Sequence, residues 1–213
     1  MNLLGIMVSY LFVGGIIAVA RFFERFGKEA SRKFIHIVLS LWWPLAVYFF
    51  DNVWYAVVVP ASFVIINWLS ARYNMIPTME REDEEGYGTV YYAISLLVLV
   101  ATTWTRFPWI GAVGFFIMAY GDGFAAVVGK LFPYKPYQIF GNKKTVSGTI
   151  TMWVFSFLVT SLIFSICHTG LGWLEAILIA SIATILEAVS PKDLDNMFVP
   201  CGSSAAVYLL FIL

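Results

Sequence analysis

Residues 109–131 read WIGAVGFFIMAYGDGFAAVVGKL, an apolar run that is almost unbroken. About 20 residues of this kind cross the hydrocarbon core of a bilayer as a helix, so the run predicts a transmembrane helix. Asp122 lies inside the run, between two glycines. Ionisable side chains at mid-bilayer cost about 2.5 to 3.5 kcal/mol each and usually belong to functional sites. The run therefore predicts a membrane protein whose function involves Asp122.

Composition extends this interpretation to the whole chain. Of 213 residues, 61% are hydrophobic and 12% are charged, whereas soluble domains carry about 25% charged residues. Further apolar runs with the length of a membrane span lie at about residues 3–20, 34–50, 53–70, 89–105, 146–167, 171–190 and 197–213. We therefore predict an all-α integral membrane protein, in which residues 1–213 form a single catalytic domain. Its architecture would be one polytopic helical bundle of about 7–8 transmembrane helices.

The basic residues predict the orientation of this bundle. Lys and Arg are retained on the cytoplasmic side of a membrane. In the prediction with eight spans, all of the 13 Lys and Arg residues except Arg106 fall on one side. We therefore expect both termini to lie outside and the active site to lie on the cytoplasmic side.

Ionisable side chains recur at the cytoplasmic ends of the predicted spans. His36 lies near the inner end of its span, and Arg32 and Lys33 precede it by four and three residues, the spacing of helical neighbours. Glu187 lies within a turn of the inner end of the seventh span. The connecting loops add Lys143, Lys144, Asp193 and Asp195. We expect one pocket facing the cytoplasm to hold these residues together with Asp122.

This combination of residues suits phosphate chemistry. Mg²⁺ prefers one or two carboxylates completed by waters and substrate phosphates, and nearby Lys and Arg side chains suit a polyphosphate. Residues 143–148 read KKTVSG and open the sixth predicted span. Backbone N–H groups at this helix N-terminus could bind phosphate oxygens, with Thr145 or Ser147 as the cap. We therefore expect a nucleotide-dependent enzyme that acts on a lipid.

Four blocks of sequence carry these residues. They are Arg32-Lys33-x-x-His36, then Gly121-Asp122-x-x-Ala125-x-x-x-Gly129, then Gly141-x-Lys143-Lys144-Thr145-x-x-Gly148, and finally Glu187-Ala188-x-Ser190-Pro191-x-x-Leu194-Asp195-Asn196-x-x-x-Pro200. In this order and spacing the blocks resemble the polyprenol kinase family, which groups phytol kinases, dolichol kinases and CTP-dependent diacylglycerol kinases. That family is distantly related to phosphatidate cytidylyltransferases. Three positions depart from the usual pattern, since Thr145, Val146 and Ser147 stand where relatives commonly carry Ser, Leu and Glu.

The resemblance implies transfer of the γ-phosphate of CTP, with Mg²⁺, to the hydroxyl of a membrane lipid alcohol (polyprenol, dolichol, phytol or diacylglycerol). On this hypothesis the catalytic residues are Asp122, His36, Lys33 and Glu187, and either His36 or a carboxylate takes the proton from the alcohol. The metal ligands are drawn from Asp122, Asp193, Asp195 and Glu187. The nucleotide-binding residues are Arg32, Lys143, Lys144, Thr145, Ser147, Gly148 and Asn196.

Two other functions stay open at this point. Residues 143–148 also resemble phosphatidate cytidylyltransferases, but the longer C-terminal signature of those enzymes is absent, so we favour a kinase. A small membrane transporter would also bury Asp122 and Glu187, although no inverted repeat is visible. The expected partners are CTP, a membrane lipid alcohol and the lipid bilayer, without nucleic acid, and a homodimer stays open.

Overall fold

The computed structural model describes residues 1–73, 75–76, 86–139, 142–191 and 193–212. The chain forms two compact units, Met1–Arg106 and Phe107–Leu213. Of the residues in the sequence blocks, Gly141 lies outside the described residues. The prediction that the whole chain forms one catalytic domain stays a prediction.

The first unit is helical. Its helices are α1 (Asn2–Phe23), a 3₁₀ turn (Glu24–Phe26), α2 (Lys28–Leu39), α3 (Trp42–Phe49), α4 (Val53–Ala56), α5 (Val58–Tyr73) and α6 (Gly88–Thr103). The chain reverses between α1 and α2 at Gly27, whose φ of 104° is accessible to glycine without steric cost. Helix α1 then packs against α2 and α3, while α5 packs against α6.

The prediction of a continuous second span over residues 34–50 is wrong, because α2 ends and α3 begins within it. The cause is Pro44, which has no N–H and cannot donate to the carbonyl of Ser40 four residues earlier. Instead, the N–H of Trp43 bonds to the Ser40 carbonyl at 3.0 Å. The Ser40 hydroxyl donates to the carbonyl of Ile37 at 2.7 Å and satisfies one of the last acceptors of α2.

The second unit contains the helices that carry most of the candidate site. Its elements are α7 (Pro108–Phe116), a π-helical turn (Ile117–Asp122), α8 (Gly123–Leu131), β1 (Pro136–Ile139), β2 (Asn142–Thr145), α9 (Val146–Ile166), α10 (Trp173–Val189) and α11 (Asp195–Ile212). Helix α9 packs against α8 and α10, and α11 packs against α7 and α10. Strands β1 and β2 form an antiparallel hairpin in which Pro136 faces Thr145 and Ile139 faces Asn142.

Several helical segments have the length and apolar character needed to cross a membrane. Among the described residues these are Asn2–Phe26, Val53–Tyr73, Pro108–Leu131, Val146–Ile166 and Asp195–Ile212, with Gly88–Thr103 as a shorter apolar helix. The prediction of an all-α integral membrane protein is confirmed, and the hairpin is a small addition to it. The predicted sidedness of the termini stays a prediction.

Candidate functional site

Asp122 ends the π-helical turn between α7 and α8. A π-helix is rare, and single turns of it occur frequently at functional sites. The Asp122 residue is buried, with 8% of its surface exposed. A Cβ atom on the preceding Gly121 would lie 2.7 Å from Met152 Sδ and 2.9 Å from Ser156 Oγ of α9. Gly121 therefore serves close helix packing, while Asp122 places a carboxyl group inside the second unit.

Lys144 and Glu187 form an ion pair inside this unit. The Lys144 ammonium donates to Glu187 Oε1 and, at 2.6 Å, to the backbone carbonyl of the same residue. Two positions earlier in β2, the side-chain amide of Asn142 donates to the carbonyl of Ser190 at 2.9 Å. The hairpin is thereby bound to the last turn of α10.

Lys143 differs from Lys144 in its surroundings. Side chains of successive strand residues point to opposite faces, so the two lysines of β2 face apart. Lys143 is exposed, whereas only 14% of the Lys144 side chain is accessible to solvent. The sequence predicts one phosphate-binding role for both lysines, whereas the structure gives them different surroundings.

Three carboxylates from separate segments come near one another. Asp122 from the π-helical turn and Asp195 from the first turn of α11 both act electrostatically on Glu187 near the end of α10. Asp195 Oδ1 also accepts a hydrogen bond from the N–H of Asn196 at 3.0 Å. These acids, distant in sequence, thus lie in one region of the second unit, and their predicted common pocket stays a prediction.

The carboxylates of this region bear on metal binding. Within the part of the chain that the structure describes, no group of three or more His, Cys, Asp and Glu side chains is arranged to hold a metal ion. Mg²⁺ requires only one or two protein carboxylates when waters and substrate phosphates complete its shell. The donor chemistry of Asp122 and Asp195 fits this requirement. The predicted ligand set, which also included Asp193 and Glu187, stays a prediction.

The start of α9 closes tightly against α8. Thr145 Oγ1 accepts a hydrogen bond from the N–H of Gly148 at 3.1 Å, which confirms the prediction of a capping side chain at this position. A Cβ on Gly129 of α8 would lie 2.8 Å from Thr145 Oγ1, and one on Gly148 would lie 3.1 Å from the Ala125 carbonyl. Glycines of two sequence blocks therefore let the two helices meet beside the candidate site.

Backbone donors at this helix start already have protein partners. The N–H of Val146 bonds to the carbonyl of Tyr134 at 3.1 Å, and that of Gly148 is used by the cap. The Ser147 hydroxyl donates to the carbonyl of Phe132 at 2.6 Å. The hydroxyl that replaces the usual acid thus holds the end of α8, and the predicted phosphate contact of Ser147 stays a prediction.

Loss of the Thr145 cap should destabilise the protein. We expect Thr145→Ala to lower the stability by about 1 kcal/mol, because the N–H of Gly148 loses its acceptor. Thr145→Ser keeps the hydroxyl and should stay close to the parent protein. Thermal unfolding of the detergent-solubilised variants measures the difference, and equal unfolding temperatures for the Ala and Ser variants would contradict the capping role.

The basic residues and the histidine of the first sequence block lie in the first unit. Helix α2 begins at Lys28, so Arg32, Lys33 and His36 share one helix as predicted. Lys33 and His36 are buried, with exposed fractions of 7% and 8%. Tyr92 of α6 donates from its hydroxyl to the His36 carbonyl at 3.1 Å, and the two ring centroids are 4.6 Å apart. The functional roles predicted for this block stay predictions.

Asn196 and Pro200 show what the last sequence block does structurally. Asn196 is buried near the start of α11, and its N–H also approaches the Asp193 carbonyl at 3.3 Å. Pro200 lies inside α11 and cannot donate a hydrogen bond to the carbonyl of Asn196. Gly114 of α7 packs against the carbonyl of Pro200. This block therefore contributes to the packing of α11 on α7.

Sequence reasoning missed three features of this region. The π-helical turn has no signal beyond the Gly-Asp-Gly triplet, and the hairpin strands are only four residues each, too short for a clear alternation. Asn142, which binds the Ser190 carbonyl, was passed over because its importance depends on that hairpin. Its position next to the Lys-Lys pair was the one available signal.

Comparison with known proteins identifies phytol kinases. The phytol kinase of Synechocystis sp. is 33% identical over 211 residues, which cover 94% of this chain and 88% of that protein. Probable phytol kinase 1, chloroplastic, of Oryza sativa subsp. japonica is 32% identical over 86% of this chain and 65% of its own length. Phytol kinase 1, chloroplastic, of Arabidopsis thaliana is 28% identical over 93% of this chain and 74% of its own length. No family model matches the chain, and no solved structure does.

Proposed function

Because the chain belongs to the polyprenol/phytol kinase family, we propose that it transfers the γ-phosphoryl group of CTP to the hydroxyl of a membrane lipid alcohol. Phytol is the acceptor we favour, since the relatives described above are named phytol kinases. The observation that carries the proposal is the group formed by Asp122, Glu187, Asp195 and Lys144, which unites three of the sequence blocks in one unit.

The proposed reaction requires compensation of negative charge. The hydroxyl of the alcohol gives its proton to a general base and its oxygen bonds to the γ-phosphorus, while the bond from that phosphorus to the β–γ bridging oxygen breaks and CDP leaves. Charge spreads over the phosphoryl oxygens during this step, so positioning and electrostatic stabilisation supply most of the catalysis. Bound Mg²⁺ would supply that neutralisation between the carboxylates and the nucleotide phosphates. We propose that Asp122 and Asp195 hold the ion, because they come from separate segments, both lie near Glu187 and both offer the carboxylate oxygens that Mg²⁺ prefers.

The remaining residues of the second unit would orient the donor. Lys143 is exposed on the face of β2 opposite Lys144, and we propose that its ammonium binds phosphate oxygens of the nucleotide. Asn196 lies next to Asp195, and its side-chain amide provides both donors and an acceptor. We propose that the reaction takes place at the cytoplasmic face, where the positive-inside pattern puts this region.

The proposal is tested by incubating the purified, detergent-solubilised protein with Mg²⁺ and γ-labelled CTP. Phytol, a polyprenol and diacylglycerol are supplied separately, and γ-labelled ATP is compared as donor. We expect label in phytol and faster transfer from CTP. Absence of label from every alcohol would contradict the kinase, and solute uptake by proteoliposomes without nucleotide would favour the transporter.

Lys143→Ala should weaken the use of nucleotide. Hydrogen bonds to charged groups contribute about 1.5 to 3 kcal/mol, so we expect the KM for the nucleotide to rise about tenfold or more. Lys130→Ala, at an exposed position in the last turn of α8, is the matched control and should leave KM unchanged. Initial rates over a range of CTP concentrations measure both variants. An unchanged KM in Lys143→Ala would make this lysine an ordinary membrane-surface residue.

A further inference from the structure

We infer that Lys144 is a positioning residue, which together with Asn142 latches the β1–β2 hairpin to the last turn of α10 and fixes the Glu187 carboxylate. The inference concerns the site of the proposed function and rests on that function only for the titration with CTP. It assigns different roles to Lys143 and Lys144, whereas the sequence pattern predicts that both bind the nucleotide.

The contacts of Lys144 are with protein atoms. Its ammonium has three donors, and two partners are the carboxylate and the backbone carbonyl of Glu187. The last carbonyls of an α-helix have no partner within the helix, and the helix dipole makes that end partially negative. Hydrogen bonding and charge therefore both favour the contact of the Lys144 ammonium, from β2, with the C-terminal end of α10.

Asn142 adds a second contact on the same face of the hairpin. Asn142 and Lys144 are two residues apart in β2, so their side chains point to the same side of the strand. The Asn142 amide donates to the carbonyl of Ser190, the capping residue directly after α10, at 2.9 Å. One face of β2 thus binds the helix end, while the intervening Lys143 is exposed on the other face.

The charge balance explains why a lysine is required at this position. Glu187 is buried, and the negative charges of Asp122 and Asp195 repel its carboxylate. Removing one partner of a buried ion pair leaves an uncompensated charge, which is strongly destabilising, whereas replacing both partners by apolar residues is often neutral. Lys144 therefore acts through Glu187, and its loss should loosen the hairpin before any nucleotide is present.

Hydrogen–deuterium exchange of the full-length protein in detergent, without nucleotide, tests this inference. We expect Lys144→Met to raise the exchange rate of the β2 amides about tenfold or more and to lower the unfolding temperature. Asn142→Ala should act in the same direction with a smaller effect. Lys143→Met, the matched control on the opposite face, should match the parent protein in both measurements. Equal exchange in Lys144→Met and Lys143→Met would overturn the inference.

The double variant Lys144→Met/Glu187→Met covers the case in which Lys144→Met does not fold. It removes the buried carboxylate as well, so we expect it to unfold at a higher temperature than Lys144→Met alone. A double variant that is no more stable than the single one would contradict an action of Lys144 through Glu187.

Calorimetric titration with CTP and Mg²⁺ separates positioning from direct nucleotide contact. Weakened CTP binding in Lys144→Met with unchanged β2 exchange would make Lys144 a nucleotide ligand and overturn the inference, while leaving the kinase proposal intact. A parent protein that phosphorylates no lipid alcohol would instead contradict the proposed function. The exchange result would still decide the role of Lys144, because it is measured without substrate.

Discussion

Asp122→Asn abolishes phosphoryl transfer, with an expected fall in kcat of about a thousandfold or more. Asparagine has nearly the same shape, so the variant keeps the packing of the π-helical turn and loses only the negative charge. A carboxylate inside an apolar segment is costly and usually functional, so we expect the charge of Asp122 to take part in catalysis. Because the shape at this position is kept, we expect the variant to fold and to unfold close to the temperature of the parent protein.

Two measurements on the same preparation decide this prediction. Initial rates of label transfer from CTP give kcat, and thermal unfolding in detergent reports the stability. Glu175→Gln is the matched control, because Glu175 lies in the first turn of α10 and its carboxylate accepts only at the helix start, from the N–H of Gly172 at 2.8 Å. We expect this control to keep its activity. An active Asp122→Asn would remove this carboxylate from the reaction.

Gly114→Ala destabilises the second unit, although alanine is the better helix former by about 1 kcal/mol. The added Cβ would collide with the backbone carbonyl of Pro200 and with Ser204 Oγ, where α7 crosses α11. A backbone carbonyl cannot rotate away as a side chain does, so the helices must separate. Overpacking of this kind costs about 1 to 3 kcal/mol, and we expect the upper end of that range.

A second glycine-to-alanine change provides the control for Gly114→Ala. A Cβ on Gly14 of α1 would meet nothing within 4 Å, so Gly14→Ala should be neutral or stabilising. Thermal unfolding of both variants in the same detergent measures the contrast. If Gly114→Ala unfolds at or above the temperature of Gly14→Ala, the close packing of α7 on α11 is contradicted.

The membrane helices could be predicted because length and apolar character determine which segments cross a bilayer. Helix α9 begins at Val146, where the sequence analysis placed the start of a span, and Thr145 caps it as expected. The prediction of one continuous helix over residues 34–50 was wrong because a single proline, Pro44, changes the hydrogen bonding without changing the hydrophobicity. The hairpin was not predicted because its strands are too short to show an alternation of polar and apolar residues.

The acidic cluster could also be predicted, since charged residues at the ends of apolar helices are stable only when they contact water or other polar groups. Topology alone predicts that Asp122, Glu187 and Asp195 lie together, and in the structure Asp122 and Asp195 both act electrostatically on Glu187. The pairing of Lys144 with Glu187 could not be predicted, because it depends on which face of β2 each lysine occupies. The sequence shows that the two lysines are neighbours, whereas the face of the strand on which each side chain lies follows from the pairing of β1 with β2.

The position of the transferred phosphorus tests the central claim most directly. The protein is incubated with Mg²⁺ and with CTP labelled on either the α- or the γ-phosphorus, in the presence of phytol or phosphatidate. We predict that γ-label enters phytol and that α-label stays in the water-soluble nucleotide. Entry of α-label into phosphatidate, with release of γ-label as pyrophosphate, would identify a cytidylyltransferase and contradict the assignment as a lipid-alcohol kinase.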